Sequence, residues 1–190
     1  MHSRCLRKSA LLAAIAALAT VAAIACGSSS GNSSVSSYVR ERNPDLTLSI
    51  DDARGIGFKT IRQYDVQGLT GATDAWFGFR RVAGLDPTEY EIRTYPSHDD
   101  AIEDGAFFAQ DVIGRDGNIF AKDAAWKTGT ADRWSYRVVN FDSINAARFP
   151  KYHDYVIVGN LIVLCEGLDA DTSQEACDWM AAQLATAGQG

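Results

Sequence analysis

Beyond its first eight residues the 190-residue chain lacks any cluster of basic residues, and its overall charge is acidic: 18 Lys and Arg stand against 24 Asp and Glu, a net −6. Contact with phosphate needs a basic footprint, so nucleic-acid binding is set aside, as is adhesion to anionic lipid by charge alone. No repeat of solenoid period is visible. There is no serine elbow set between a strand and a helix, no phosphate-cradling glycine loop and no His-Glu-x-x-His segment, so no diagnostic catalytic motif and no cofactor motif is present. Histidine is scarce, at three residues, and cysteine numbers four. A membrane-spanning helix takes roughly 20 apolar residues. The longest apolar run, Ala10 to Ala25, has 16 and is interrupted by Thr20.

That run is the hydrophobic region of a signal peptide. Arg4, Arg7 and Lys8 precede it, and small residues, Ala23-Ile24-Ala25, lead to Cys26. The stretch resembles the leader of bacterial lipoproteins, although Ala23 stands where leucine is usual. The resemblance implies that the Cys26 thiol takes a diacylglyceryl group, that cleavage leaves it as the first residue, and that further acylation (palmitate is typical) completes the anchor. Each buried CH₂ adds about 0.8 kcal/mol, and stable anchoring takes more than one chain. Gly27, where aspartate would signal inner-membrane retention, is compatible with outer-membrane sorting. In a cell with one membrane the address becomes that membrane's outer face.

Gly27 to Ser37 holds one sizeable apolar residue, Val35. Such a segment cannot bury enough surface to offset its ordering entropy, and as a flexible tether it has a span of roughly 20 Å. The expected organisation is therefore a signal peptide (1–25), a lipidated cysteine with a Ser-rich tether (26–37), and one folded domain (38–190). Once the leader is removed, 15 basic residues face 24 acidic ones.

Within the domain, Ser49 or Asp51 caps a first helix with Ala53, Ile56, Ile61 and Tyr64 near helical spacing. Residues 75–82 and 89–95 form a hairpin around the turn residues of "GLDPT". The alternation of Tyr90, Ile92 and Thr94 with Glu89, Glu91 and Arg93 predicts one wet face on the second strand. Ser97 caps the next helix, with Asp100 three residues on and Ile102, Ala106, Ala109 and Ile113 as its apolar stripe. Residues 119–133 read as irregular, with a short helical piece near Trp126. Residues 134–139 read as a strand and 141–154 as a loop. In "DYVIVGNLIVLCEG", Gly159-Asn160 between two β-branched runs marks a tight hairpin whose strands are apolar on both faces. Thr172 and Glu175 open the last helix as a capping box, with Cys177, Met180, Ala181 and Leu184 as its buried stripe. The pattern predicts an α+β fold: an antiparallel sheet of four to five strands, helices packed on one face, and two hairpin-then-helix units, 75–113 and 154–187.

Cys165 ends a strand and Cys177 begins the buried face of the following helix. In an oxidising compartment the pair is expected to form a disulfide. Tyr95-Pro96-Ser97 running into a helix with Asp100-Ala101 and Gly105, together with "DYVIVGNLIVLCEG", is similar to small uncharacterised bacterial envelope lipoproteins. Those carry no established activity to transfer.

Four candidate sites follow. Two His-Asp pairs, His98-Asp99 and His153-Asp154, offer metal ligands if the fold brings them together. The competing reading is two surface loops. "DADTSQE" has the alternating oxygens of a calcium loop but Gln174 and Met180 where glycine and glutamate are needed, so it reads as a helix cap. Cys165 with His153 makes a thiol–base pair only if the cysteine is reduced. The aromatics Trp76, Phe79, Tyr90, Trp126 and Trp134 are either core or a binding surface for a small molecule, a glycan or a protein. The leading expectation is a lipid-anchored, non-enzymatic binding domain of the cell envelope. The alternatives are a metal-dependent hydrolase using His98 and His153, and a purely structural envelope component.

Overall fold

A central hairpin organises everything else. The computed structural model describes residues 38–140 and 143–189; the expected signal peptide, lipidation site Cys26 and tether lie outside them. β7 (Tyr152–Val158) and β8 (Leu161–Glu166) pair antiparallel through the Gly159-Asn160 turn. β8 then pairs with β4 (Thr88–Thr94), β4 with β3 (Asp74–Arg80), and β3 with the edge strand β2 (Lys59–Gln63). On the other side, β1 (Glu41–Arg42) lies parallel to β7. The sheet order is β1-β7-β8-β4-β3-β2. The α+β class holds. The sheet has six strands rather than four or five, and β1 makes it mixed. β5 (Trp134–Asn140) and β6 (Ser143–Pro150) form a separate two-stranded sheet. Most of the segment 141–154, expected as a loop, is therefore strand; it has no glycine turn or clean alternation to announce it.

The helices cover both faces of the sheet, not one. Side chains alternate along a strand, and the alternate sets meet different partners. Tyr90, Ile92, Val156, Val158, Val163 and Cys165 pack with α1 (Ile50–Gly55) and α4 (Ala170–Ala187), through Ala53, Cys177, Met180, Ala181 and Leu184. Tyr95, Tyr155, Ile157, Ile162 and Leu164 pack with Ala101, Ala109 and Val112. These last belong to the helical stretch 98–112 and its end: α2 (His98–Asp100), a π-helical turn (Ala101–Gly105) and α3 (Ala106–Gln110). The two hairpin-then-helix units are thus real in pattern, but their helices lie on opposite faces. The double apolar character of β7 and β8 follows directly from this sandwiching.

The caps set the boundaries. Ser97 accepts a hydrogen bond from the Asp100 N–H, as expected. Ser49 caps α1, but the helix ends at Gly55, and Gly57 (φ +95°) turns the chain into β2. Ile61 and Tyr64 therefore belong to a strand and its exit, where a spacing of three puts Ile61 outward and Tyr64 inward. The last helix starts one turn before its expected cap: Asp169 is the N-cap and Thr172 completes the box. Gly105 is required where the π turn crosses the sheet, since a Cβ there would sit 2.5 Å from the Tyr95 ring. Of the two residues in the β7–β8 turn, Gly159 has positive φ, +54°, and Asn160 does not. Asn160 has another task. Its buried side chain accepts from the Leu48 N–H and donates to the Leu48 and Tyr95 carbonyls, tying the turn to the segment before α1.

Cys165 and Cys177 form the expected disulfide, with Cα atoms 5.5 Å apart. It joins the end of β8 to α4 across the first core. Beside it the Ser173 hydroxyl donates to the Cys165 carbonyl and accepts from the Asp154 N–H at 2.8 Å. This satisfies the strand where register shifts around His153.

Candidate functional site

The expected wet face of β4 is dry. Glu91 and Arg93 are both fully buried, on the sheet face that also carries Ala75, Phe77 and Leu164. The segment 111–133 lies over them and brings Arg133, also fully buried. Glu91 accepts from Arg93 Nε at 2.8 Å, and from Arg133 Nε at 2.8 Å and Nη2 at 3.0 Å. Arg133 Nη1 donates to the Trp126 carbonyl, and the Trp126 ring stacks under Arg133 at 4.7 Å and Arg93 at 5.2 Å. Burial is the largest single influence on Glu91 and works to raise its pKa. The two guanidinium charges and their hydrogen bonds together outweigh it, so its pKa is lowered. Around this cluster burial pushes the Tyr64 and Tyr152 hydroxyls far up and Tyr95 to about 12. The cluster is closed to solvent and serves the fold.

At one end of the sheet the side chains remain open. Arg80 at the end of β3, Thr88 at the start of β4, Lys151, Glu166 at the end of β8, and Thr172, Glu175 and Trp179 of α4 line a cleft of about 550 Å³. That is the size range of small-molecule seats. The Arg80 guanidinium lies 3.5 Å from the Trp179 ring centroid, a close cation–π contact. Lys151 is paired with Glu89. The Glu89 N–H donates to Glu166 Oε2 at 2.7 Å. Burial raises the Glu166 pKa, with the neighbouring Glu89 charge adding to it. Arg80, Asp86 and Glu175 make no ion pair among the described residues. The cleft thus presents unpaired charges of both signs on a fixed frame.

The fold does not bring the two His-Asp pairs together. His98 Nδ1–H donates to the Gly159 carbonyl at 2.7 Å, at the turn end of β7. His153 lies near the other end of that strand, roughly 20 Å away at 3.4 Å per residue. There it lines a second depression with Arg115 and Asp169, separated from the first cleft by the exposed Leu168. Asp154 is buried and held by Arg40, at 2.8 and 3.1 Å, and by Gln174. Asp99 is exposed. Among the described residues no three His, Cys, Asp or Glu side chains group as metal ligands. Cys165 is in the disulfide, which removes it as a nucleophile beside His153.

The five aromatics scatter too. Tyr90 is core, edge-on to Phe58. Trp126 is core under the ionic cluster. Trp76 donates to Asp74 and stacks with Arg54. Phe79 lies half-buried on β3 near Arg81. Trp134 packs edge-on to Tyr136, with Arg148 stacked at 4.2 Å, on the separate β5–β6 sheet. They do not form one binding face. Trp134 also lines a smaller depression with Phe120 and Arg148, while the aromatic of the first cleft, Trp179, is hidden in a helix pattern. Its signal was a Trp one turn after Glu175 on the flank of the buried stripe.

What these features define is an α+β domain with an ionic core and an open end cleft. Residues 49–186, from the cap of α1 to the last turn of α4, match the family of unknown function DUF6810, and the chain belongs to it. No curated protein and no solved structure matches the chain.

Proposed function

We propose that this chain is a lipid-anchored binding domain of the bacterial cell envelope, non-enzymatic, with its ligand seat in the cleft between β3, β4, β8 and α4. The observation that carries the reading is the cleft itself. A disulfide-stapled helix and the sheet end hold unpaired charged groups around a ligand-sized volume. The anchor rests on the leader sequence, with Cys26 as the lipidated residue and Gly27 permitting the outer membrane. Among the described residues no helix is long and apolar enough to cross a membrane, so in this reading the attachment is the lipid at Cys26.

Two measurements test it. Wild-type chain should enter the detergent phase on temperature-induced phase separation and Cys26→Ser should not. Equal partition would remove the anchor. For the seat, Trp179 fluorescence of the full chain in detergent micelles should respond to at least one compound in a broad library of envelope metabolites, sugars and peptides. A library that leaves Trp179 fluorescence and thermal stability unchanged would count against a ligand seat.

A further inference from the structure

The charges in the cleft say what class of ligand it takes. On one wall stands Arg80, its planar cation laid on Trp179 and its Nε buried toward the core, where its charge acts on the Tyr90 hydroxyl. An arginine held by one face and by its Nε side keeps the edge formed by its two Nη groups for a ligand, and that edge matches a carboxylate bidentately. On the other wall stands Glu175, exposed and unpaired among the described residues. Glu175 is four residues before Trp179 on α4, so their Cβ atoms are about 6 Å apart on one helix face. The cation and the carboxylate are thus carried at two positions one helical turn apart on α4, Arg80 through the Trp179 ring and Glu175 directly.

A purely anionic ligand would meet Glu175, Glu166 and Asp86. A purely cationic one would be driven against Arg80. Neither matches, and Lys151 cannot rebalance the site because Glu89 already holds it. A molecule carrying both charges on adjacent atoms matches each wall. In an α-amino acid the ammonium nitrogen and the carboxylate share one carbon, through bonds of about 1.5 Å. Adding a hydrogen bond of about 2.8 Å at each end gives a bridge of roughly 8 Å, a length that two side chains splaying outward from positions one turn apart can span. Granted that the cleft is a ligand seat, we infer that it takes a small zwitterion of the α-amino-acid class, carboxylate on Arg80 and ammonium on Glu175.

The test is calorimetric titration of the full chain in detergent micelles with free amino acids and dialanine. Each is compared with its N-acetylated and its C-amidated form. The expected result is binding of at least one free zwitterion, weakened about tenfold or more by blocking either end, as for the loss of a charged hydrogen bond. Arg80→Gln should lose the preference for free carboxylate over amide and keep the preference for free ammonium. Glu175→Gln should do the reverse, and its exposed position keeps that variant folded. Blocked forms that bind as well as free ones would overturn the inference. So would Trp179-reported binding of sugars or other neutral compounds with no response to any amino acid, which would leave the seat standing and remove only its ligand class. No response to any compound would sink both.

Discussion

Replacing Glu91 by Gln should be among the most damaging single changes this domain can suffer. The substitution keeps size and an acceptor oxygen but removes the one negative charge facing two fully buried guanidinium groups. Breaking a buried ion pair from one side costs about 3–5 kcal/mol, because the remaining charge cannot be rehydrated. Here two cations are stranded, so the upper part of that range is expected. Domains of this size are stable by about 5–15 kcal/mol, and a loss of 1 kcal/mol lowers Tm by about 2–4 °C. Glu91→Gln should therefore melt at least 8–10 °C below wild type, by that scaling, in far-UV circular dichroism under non-reducing conditions. The triple change Glu91→Leu, Arg93→Met, Arg133→Met should recover most of the loss, since replacing a whole buried ionic group by apolar side chains is often neutral or better. A Glu91→Gln chain within 2 °C of wild type, a shift below about 1 kcal/mol, would mean that the cluster is hydrated and that the dry-core reasoning is wrong.

Cys165→Ser with Cys177→Ser should cost about 2–4 kcal/mol, the usual worth of a bridge closing a short loop, and thiol titration of exported, denatured, unreduced protein should find neither sulfur reactive; two free thiols would refute the staple. Gly159→Val should cost well over 1 kcal/mol, because β-branched residues are strained at positive φ and its Cβ would lie 2.2 Å from the Leu46 carbonyl oxygen; an unchanged melt would contradict the turn. The buried Glu91 and the half-buried Glu166 should titrate in opposite senses. Glu91, with a lowered pKa, stabilises the fold above its ordinary value of 4.5, and that contribution disappears as pH falls through its folded pKa. Glu166, with a raised pKa, favours the fold below that ordinary value and becomes a cost as pH rises through its folded pKa. Hence Glu166→Gln, which keeps an acceptor for the Glu89 N–H, should be more stable than wild type at pH 7 and lose that advantage near pH 4; the opposite ordering in chemical denaturation would refute the assignment.

How far the sequence could be read depended on whether a signal was local. The β7–β8 hairpin, the Ser97 cap and the α4 stripe all declare themselves within a dozen residues, and all three stand in the structure. The disulfide was legible because connectivity alone placed its two sulfurs close. Glu91 and Arg93 were misread because alternation reports only that two faces differ. It does not report that residue 133, forty positions on, will supply the counter-charge that lets a polar face be buried. β6 was missed for a related reason: its partner β5 lies outside the main sheet, so Ser143–Pro150 carries no core-facing alternation. The cleft was invisible for the same cause in stronger form. Arg80, Glu166 and Glu175 come from three elements, and each alone looks like an ordinary surface charge. Only the six-strand order brings them to one end.

The ionic core and the cleft are joined by main chain. The Lys151 N–H donates to the Arg133 carbonyl at 2.9 Å, and the Lys151 carbonyl accepts from the Gly167 N–H at 3.2 Å. Lys151 also pairs with Glu89, whose N–H holds Glu166. Arg133 is thus fixed at its side chain by Glu91 and at its backbone by the segment that leads from β6 into β7. Ser135, two residues on, already lines the cleft. A strand end and a loop would ordinarily wander by more than a ligand contact tolerates. Here the buried Arg133, bonded to Glu91 and to the Trp126 carbonyl, pins the loop to β4 from below, and the disulfide pins α4 to β8 from the other face. The cleft sits between two walls that are each fastened to the same central strands. That arrangement gives the buried charge a physical purpose. An apolar replacement would match its stability, but would not fix the loop in one register, since apolar contact is non-directional while a bidentate guanidinium–carboxylate pair is not. The triple apolar variant should therefore regain the melting temperature without regaining the Trp179 fluorescence response to ligand. If both return together, the cluster sets stability alone and the cleft is held by other means.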